Sequence, residues 1–259
     1  MIRKWFKYYL DNNEANQNSL SFTFRQIEES FSKKKFILNN FLRLNISETK
    51  IYNFIKKKTL GNILSIGSGY GELEYHLSKN HKITATDINQ KIINKNYKIR
   101  ISYLDILNIK SINKRYDTIL VPNIEYILND RQLFKCLENI KKFSKKKTKI
   151  FFGFRSCDSF FIKFIDIFLL KFEIILKKIF YFVILKKLKI KKIQHGYRRS
   201  KQHLEKILKK KFFIKEIKEE LYRTEFERSF LLKKFKLSLI LGFLKIQPHL
   251  YIYSLKNKT

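Results

Sequence analysis

At residues 62–72 the sequence reads Asn-Ile-Leu-Ser-Ile-Gly-Ser-Gly-Tyr-Gly-Glu, and these residues indicate the fold more clearly than any others. The first half is a short apolar run that ends in glycines, which predicts a buried strand. After it, Leu73 and Leu77 share one face of a predicted helix over residues 72–80. The chain has only seven glycines, and three of them stand at alternate positions between this strand and this helix. We therefore predict a tight turn between a strand and a helix, where the backbone can approach a ligand closely.

Asp87 stands twenty residues after Gly67, at the end of a second predicted strand over residues 83–87. At that spacing a carboxylate can accept hydrogen bonds from both ribose hydroxyls of an adenosine. A dinucleotide-binding loop would place its third glycine one residue later, where this chain has Glu72. A carboxylate there would repel a pyrophosphate, whereas S-adenosylmethionine (SAM) carries no phosphate. The pattern therefore favours SAM, and the alternative is a tight turn that binds no ligand.

Segments typical of strands and helices alternate over most of the remaining chain. Strands that alternate with helices predict an α/β fold with a parallel sheet covered on both faces. Residues 1–60 differ, because they are typical of an N-terminal helical segment in which Ser47 is a candidate N-cap for a short helix. The further predicted strands are residues 99–104, 116–121, 149–154, 212–217 and 249–254, and the further predicted helices are residues 91–97, 131–143 and 200–209.

Residues 63–127 resemble the SAM-binding half of class I methyltransferases, near the broad group that methylates small molecules. The resemblance rests on the glycine loop, on Asp87 and on the order of strands and helices around them. It implies a Rossmann-like α/β sheet of seven strands, mostly parallel with an antiparallel final strand, and an inserted helical subdomain. The implied organisation is an N-terminal helical segment (1–60), a SAM-binding core (61–155), a helical insertion (156–200) and a C-terminal part that completes the sheet (201–259).

The same resemblance implies which residues contact the cofactor. In that family the glycine loop holds the methionine part of SAM, an acid after the second strand binds the ribose, and an acid after the third strand meets the adenine amino group. The matching residues are Gly67, Ser68, Gly69 and Gly71 in the loop, Asp87 with Ile88, Asp105 with Ile106 as a stacking wall, and Asn123 beside the methyl donor. Many members also carry an acid two residues before the first glycine, where it helps to hold the amino group of SAM. Here that residue is Ser65, which leaves the role to water or to Glu72.

Methyl transfer from a sulfonium is an in-line displacement, so the enzyme aligns donor and acceptor and removes an acceptor proton where needed. The candidate bases are Glu125 and Tyr126 after the fourth strand, and His195 and Tyr197 shortly before the helix at residues 200–209. The alternatives are that His195 and Tyr197 only cap a loop, and that Glu125 is a structural acid. The sequence shows no cluster of metal ligands, so we expect no metal.

The net charge of +34 would suit a polyanionic partner such as nucleic acid or an anionic membrane. The alternative is codon bias in an A+T-rich genome, which would place lysine wherever the fold tolerates it. The lysines are spread along the chain, and no Asn-Pro-Pro-aromatic signature follows the fourth strand, so a nucleic-acid partner is the less favoured expectation. The two cysteines have neither metal-ligand nor disulfide spacing, and they fit a reducing cytoplasm.

Residues 159–185 form a long apolar segment that breaks the alternation of strands and helices. The charged residues of its first twenty positions fall within an arc of about 160° on a helix, which predicts an amphipathic helix with a broad apolar face. The longest charge-free stretch, residues 179–185, is far shorter than the roughly 20 residues that span a membrane. Five lysines follow it directly, at positions 186, 187, 189, 191 and 192. We therefore expect either a lid over the substrate or a helix that lies peripherally at a membrane interface.

These observations predict a SAM-dependent methyltransferase that acts on a small-molecule or lipid-linked acceptor. One alternative is an RNA or protein methyltransferase that is drawn to its substrate by the positive charge. The other is a protein that keeps the fold, has lost catalysis and serves as an adaptor.

Overall fold

The structure is a computed structural model that describes residues 46–69, 71–89, 99–109, 111–122, 124–156, 158, 197, 199–220 and 250–258. Some of the sequence-based predictions fall on other residues and so lie outside the described part. They concern the N-terminal helical segment up to residue 45, the helix at residues 91–97, most of the insertion at 156–200, and the site candidates Asn123 and His195.

The described strands are β1 (Ile63–Ile66), β2 (Ile83–Asp87), β3 (Ile101–Tyr103), β4 (Tyr116–Val121), β5 (Ser144–Arg155), β6 (Phe212–Glu220) and β7 (Leu250–Asn257). They form one seven-stranded sheet in the order β3-β2-β1-β4-β5-β7-β6. The five strands from β3 to β5 in this order are parallel, whereas β7 runs antiparallel to both β5 and β6. The predicted sheet, mostly parallel with an antiparallel final strand, is therefore confirmed.

The described helices are α1 (Ile46–Lys56), α2 (Glu72–Ser78), α3 (Asp130–Phe143) and α4 (Lys201–Leu208), with a 3-10 helix at Glu125–Ile127. A capping box starts α3, because the side chains of Asn129 and Gln132 each accept from the other residue's backbone N–H. The prediction that Ser47 is the N-cap of the first helix is wrong, because α1 already begins at Ile46 and Ser47 lies in its first turn. None of the described helices is long and apolar enough to cross a membrane.

The two faces of the sheet carry two separate hydrophobic clusters. Alternate residues of β1 point to opposite faces, so Ile63 packs with α1 and α2, while Leu64 and Ile66 pack with α3 and α4. All four β1 residues are buried, and full burial of one aliphatic side chain stabilises a fold by roughly 1.5–3 kcal/mol. Burial on both faces explains why β1 is a continuous apolar run apart from Ser65.

β5 has 12 residues and begins at Ser144, well before the strand predicted at 149–154. The extension was not predicted because Lys145, Lys146 and Lys147 are exposed and give no hydrophobic pattern. Polar contacts hold it to β4 instead, since Thr148 Oγ1 donates to the Tyr116 carbonyl at 2.6 Å. The extension lies at the amino end of the parallel strands, on the side of the sheet away from the glycine loop.

The glycine loop follows β1, whose neighbours in the sheet are β2 on one side and β4 on the other. In an open parallel sheet this is the point where the strand order reverses, and ligands bind there at the carboxyl ends of the strands. The residues that follow β1, β2, β3 and β4 are therefore brought to one edge of the sheet.

Candidate functional site

The turn after β1 depends on glycine at positions 67 and 69. Gly67 has φ +75° and Gly69 has φ +56°, both in the left-handed region that residues with side chains rarely adopt. A Cβ on Gly67 would lie 2.1 Å from Cγ2 of Ile124, so this glycine packs against the turn after β4. A Cβ on Gly69 would meet no atom of the described residues within 4 Å. The loop is thus closely packed at Gly67 and open at Gly69, where a ligand can approach the backbone.

The loop is fastened to the second strand by Ser68. The backbone N–H groups of Gly67 and Ser68 donate to the Thr86 carbonyl at 2.9 Å, and the Thr86 N–H donates to Ser68 Oγ at 3.0 Å. The N–H of Gly71 then donates to the Ser68 carbonyl at 3.0 Å and closes the turn. Ser68, which is predicted to contact the cofactor, therefore also fixes the position of the loop on β2.

Asp87 joins the loop to the end of β2. Its Oδ2 accepts from the Gly69 N–H at 2.9 Å, and its Oδ1 accepts from the Asn89 N–H at 2.8 Å. The residue is 8% exposed; burial raises the pKa of Asp87, and the bonds from backbone N–H groups lower it in part. A carboxylate offers about four acceptor positions, so Asp87 keeps capacity for further donors. It can therefore accept from the neighbouring hydroxyls of a ribose placed beside Gly69.

The residues predicted for the adenine side have mixed surroundings. Asp105 follows β3 and is half-buried; its Oδ1 accepts from the Leu107 N–H at 2.9 Å and its Oδ2 from Asn108 Nδ2 at 2.8 Å. Ile88, which follows β2, is half-buried. Ile106 is 7% exposed and belongs to the hydrophobic cluster that packs with α3. The contacts of these three residues with adenine stay predictions.

Glu125 lies in the 3-10 turn after β4 and is 1% exposed. Its Oε1 accepts from the Arg155 N–H at 3.3 Å, and its Oε2 has no hydrogen-bond partner among the residues that the structure describes. Burial raises the pKa of Glu125 to about 7, although the charges of Arg155 and Arg199 lower it in part. Such a carboxyl group can take up or release a proton near neutral pH, which is the property that a general acid or base needs.

Tyr197 reaches this turn from far along the chain. Its backbone N–H donates to the Tyr126 carbonyl at 2.6 Å, and burial raises the pKa of the Tyr197 hydroxyl. The structure therefore brings together three of the four predicted catalytic candidates, Glu125, Tyr126 and Tyr197. The fourth, His195, lies outside the described residues.

Arg199 holds this junction together, and no sequence pattern predicted it. Its side chain is 3% exposed. The guanidinium donates to the Glu125 carbonyl at 2.6 Å, to the Leu128 carbonyl, and to Asp130 Oδ1 at 2.8 Å. In the sequence Arg199 stands close to the candidates His195 and Tyr197, but it is one cation among 56, and its charge alone does not indicate a structural role.

Glu74 is a further acid at the loop that was not predicted as a site residue. Ser65 Oγ donates to Glu74 Oε1 at 2.6 Å, and both residues are buried. A sign of this was present in the sequence, because Glu74 stands three residues before Leu77 and so lies near the apolar face of α2. A carboxylate on a core-facing position is rare unless it is paired.

In the described part of the chain, no group of three or more His, Cys, Asp or Glu side chains could hold a metal ion.

No protein-family model and no curated protein sequence matches this chain, but many solved structures do. An S-adenosylmethionine-dependent methyltransferase from Clostridium acetobutylicum matches with a TM-score of 0.54 and 14% identity, over 89% of this chain and 100% of that one. The N-methyltransferase NodS from Bradyrhizobium japonicum, in complex with S-adenosylhomocysteine (SAH), has a TM-score of 0.52 and 13% identity, over 87% of this chain and 98% of NodS.

Magnesium protoporphyrin IX methyltransferase from Synechocystis, with bound SAH, has a TM-score of 0.53 and 12% identity, over 89% of this chain and 95% of that one. At these identities the likeness shows the fold. The chain therefore has the Rossmann-like fold of SAM-dependent methyltransferases, as the resemblance in the sequence implies.

Proposed function

We propose that this chain is a SAM-dependent methyltransferase that acts on a small-molecule or lipid-linked acceptor. The observation that carries the proposal is the pairing of an open backbone position at Gly69 with the buried carboxylate of Asp87, joined by a hydrogen bond of 2.9 Å. Such a pair suits a ligand whose ribose hydroxyls donate to the Asp87 carboxylate while a neighbouring part of the ligand lies against the backbone of Gly69. NodS and the magnesium protoporphyrin IX methyltransferase, which have a similar fold, were solved with SAH bound.

The acids around the loop fit SAM better than a dinucleotide. Glu72 and Glu74 are both buried on the helix that follows the loop, and their carboxylates would repel a pyrophosphate. The ammonium and sulfonium groups of SAM are attracted by the same charges. When bound, SAM supplies a methyl group activated by the positive sulfur. Asp87 would hold the ribose, and the backbone at Gly69 would lie against the amino-acid part.

The turn after β4 fits the acceptor side of the reaction. It packs directly on the glycine loop through Ile124 and Gly67, so Glu125 lies one residue from this contact. Because Glu125 is 1% exposed, an acceptor proton would reach it through one intervening hydroxyl or water. Tyr126 and Tyr197 are joined by a backbone hydrogen bond next to Glu125, and their hydroxyl groups are the candidates for that intervening group. We therefore assign proton removal to Glu125 and alignment of the methyl donor to the loop.

An apolar or lipid-linked acceptor is favoured by the segment at residues 159–185, which lies outside the described residues. If the sequence-based prediction of an amphipathic helix holds, a lid would cover such an acceptor with the predicted apolar face, and an interface helix would bring the site to a membrane where the acceptor is dissolved. The net charge of +34 would support contact with anionic lipid.

Gly69→Ala should weaken SAH binding at least about tenfold while the protein stays folded. The added methyl group would meet no described protein atom, but it would enter the space in front of the loop where the ligand approaches. The left-handed backbone adds strain of roughly 1–2 kcal/mol, which most domains tolerate. Calorimetric titration with SAH measures the affinity, and thermal unfolding measures the strain.

Gly67→Ala is the matched control for this variant. Its Cβ would collide with Ile124 at 2.1 Å, so it should lower the unfolding temperature more than Gly69→Ala does. Comparing the two variants distinguishes a loss of SAH affinity caused by a filled ligand space from a loss of stability caused by disturbed packing. Equal SAH affinity in Gly69→Ala and the wild type would contradict the proposed site, as would a wild type that does not bind SAH.

A further inference from the structure

Ser65 and Glu74 form a buried pair where the end of β1 meets α2. Ser65 is fully buried, Glu74 is 1% exposed, and the Ser65 hydroxyl donates to Glu74 Oε1 at 2.6 Å. Ser65 stands two residues before Gly67, and its carbonyl accepts from Thr86 Oγ1 at 2.6 Å. The pair is thus part of the same framework that fixes the loop to β2. The Glu74 carboxylate of α2 therefore lies directly beside the Ser65 hydroxyl of β1.

The surroundings of Glu74 are negative, although the chain as a whole is strongly positive. Burial raises the pKa of Glu74 to about 7, the bond from Ser65 lowers it in part, and the charges of Asp87 on β2 and Glu72 on α2 raise it again. Only 22 of the 259 residues are acidic, and three of them are buried together beside the glycine loop. The ionised form of a buried carboxyl group among other carboxylates is costly, so the group either keeps its proton or needs a cation beside it.

We propose that Glu74 accepts the α-ammonium group of the bound cofactor, and that Ser65 holds the Glu74 carboxylate in position. The inference rests on the proposed function and deepens it. Many members of the family that this chain resembles carry the acid on the strand, at the position of Ser65. Here Glu74 on the helix would supply the carboxylate, and Ser65 is bonded to it. The alternative is that the pair only ties α2 to β1.

Two ligands separate these possibilities. SAH contains the amino-acid group with its ammonium, whereas 5′-methylthioadenosine has the same adenosine and a thioether but no ammonium. An ammonium–carboxylate hydrogen bond would add affinity for SAH alone. A structural link between strand and helix would affect both ligands equally, because both need the loop and Asp87.

Glu74→Gln keeps the size of the side chain and removes its charge. Calorimetry should show that this variant binds SAH at least about tenfold more weakly and binds 5′-methylthioadenosine as the wild type does. Adding Ser65→Asp to Glu74→Gln returns a carboxylate to the other end of the same hydrogen bond, and it should restore most of the lost SAH affinity. Thermal unfolding of each variant shows that the comparison is made between folded proteins.

The pH dependence of binding by the wild type is a second readout that needs no variant. Below pH 7 Glu74 is largely protonated, and the ammonium favours the ionised form, so SAH binding must release a proton. SAH affinity should therefore rise with pH up to about 7, by at most about tenfold per pH unit, and level off above it. Asp87 also has a raised pKa, but it serves the ribose of both ligands. Its titration therefore cancels in the ratio of the two affinities.

Equal losses of SAH and 5′-methylthioadenosine affinity in Glu74→Gln, or no loss of either, would overturn the assignment of Glu74 and leave the proposed function standing. The assignment of Glu74 would also be overturned if the ratio of the SAH and 5′-methylthioadenosine affinities did not change between pH 5.5 and 8. This range extends roughly one to two units on each side of the Glu74 pKa of about 7. If the wild type binds neither ligand, the proposed function fails and the inference fails with it.

Discussion

Asp87→Ala should weaken SAH binding about a hundredfold, the largest effect on affinity that we expect. The carboxylate would accept from both ribose hydroxyls, and a bond to a charged acceptor contributes roughly 1.5–3 kcal/mol in favourable cases. Two such bonds correspond to at least about a hundredfold in the dissociation constant. The variant also removes the acceptor of the Gly69 N–H, which donates to Asp87 Oδ2 at 2.9 Å, so the loop loses one of its hydrogen bonds to the end of β2. Calorimetry with SAH measures the change.

Asp117→Asn is a suitable control for the loss of a carboxylate. Asp117 is bonded to Lys145 at 2.6 Å and to the Asn62 N–H at 3.0 Å, at the amino end of the strands, where no ligand contact is proposed. SAH should bind this variant as tightly as the wild type. If Asp87→Ala also retains full SAH affinity, the ribose assignment is wrong, and with it the placement of the cofactor at this edge.

Glu125→Gln should slow methyl transfer about a hundredfold and leave SAH affinity unchanged. General-base catalysis contributes typically 10²–10⁴-fold, and the amide that replaces the carboxylate cannot take up the proton. The wild-type rate should rise with pH through about 7, as Glu125 loses its proton and becomes a base. Glu125→Gln should lack this rise. A Glu125 with a purely structural role would give no such difference between the wild type and the variant. Initial rates at saturating labelled SAM, measured as a function of pH, test this expectation, because saturation removes the effect of pH on cofactor binding through Glu74.

Tyr197→Phe and Tyr126→Phe show whether a hydroxyl passes the proton to Glu125, and His195→Ala tests the remaining candidate. If Glu125→Gln keeps full turnover but unfolds at a lower temperature, Glu125 is a structural acid that supports the junction with Arg199. The base would then have to be sought at His195 or Tyr197.

The framework of the molecule could be predicted because it depends on local patterns. A buried parallel strand is a continuous apolar run, glycine is needed where φ is positive, and Asp87 follows at a fixed distance along the chain. These features are present although the chain is at most 14% identical to the methyltransferases from Clostridium acetobutylicum, Bradyrhizobium japonicum and Synechocystis. The β5 extension escaped prediction because its lysines are exposed and polar bonds hold it to β4.

The polar contacts of the site could not be predicted, because they join side chains and backbone groups on different secondary-structure elements. Arg199 meets the Glu125 carbonyl 74 residues away, and Ser65 meets Glu74 across two elements. Burial changes the chemistry of such groups, and burial is a property of the whole fold. The sequence left the role of the missing acid to water or to Glu72, and only the structure shows that Ser65 is paired with Glu74.

Incubation of the protein with methyl-labelled SAM and a fractionated cell extract is the most direct test of the proposed function. We predict that label enters the small-molecule or lipid fraction, and that Asp87→Ala abolishes this transfer at limiting SAM. Label in RNA or protein would show that the proposed acceptor is wrong, while the chain would still be a methyltransferase. If no fraction takes up label although the protein binds SAH, the result would contradict the proposed function, and the chain would be a cofactor-binding protein without methyl transfer.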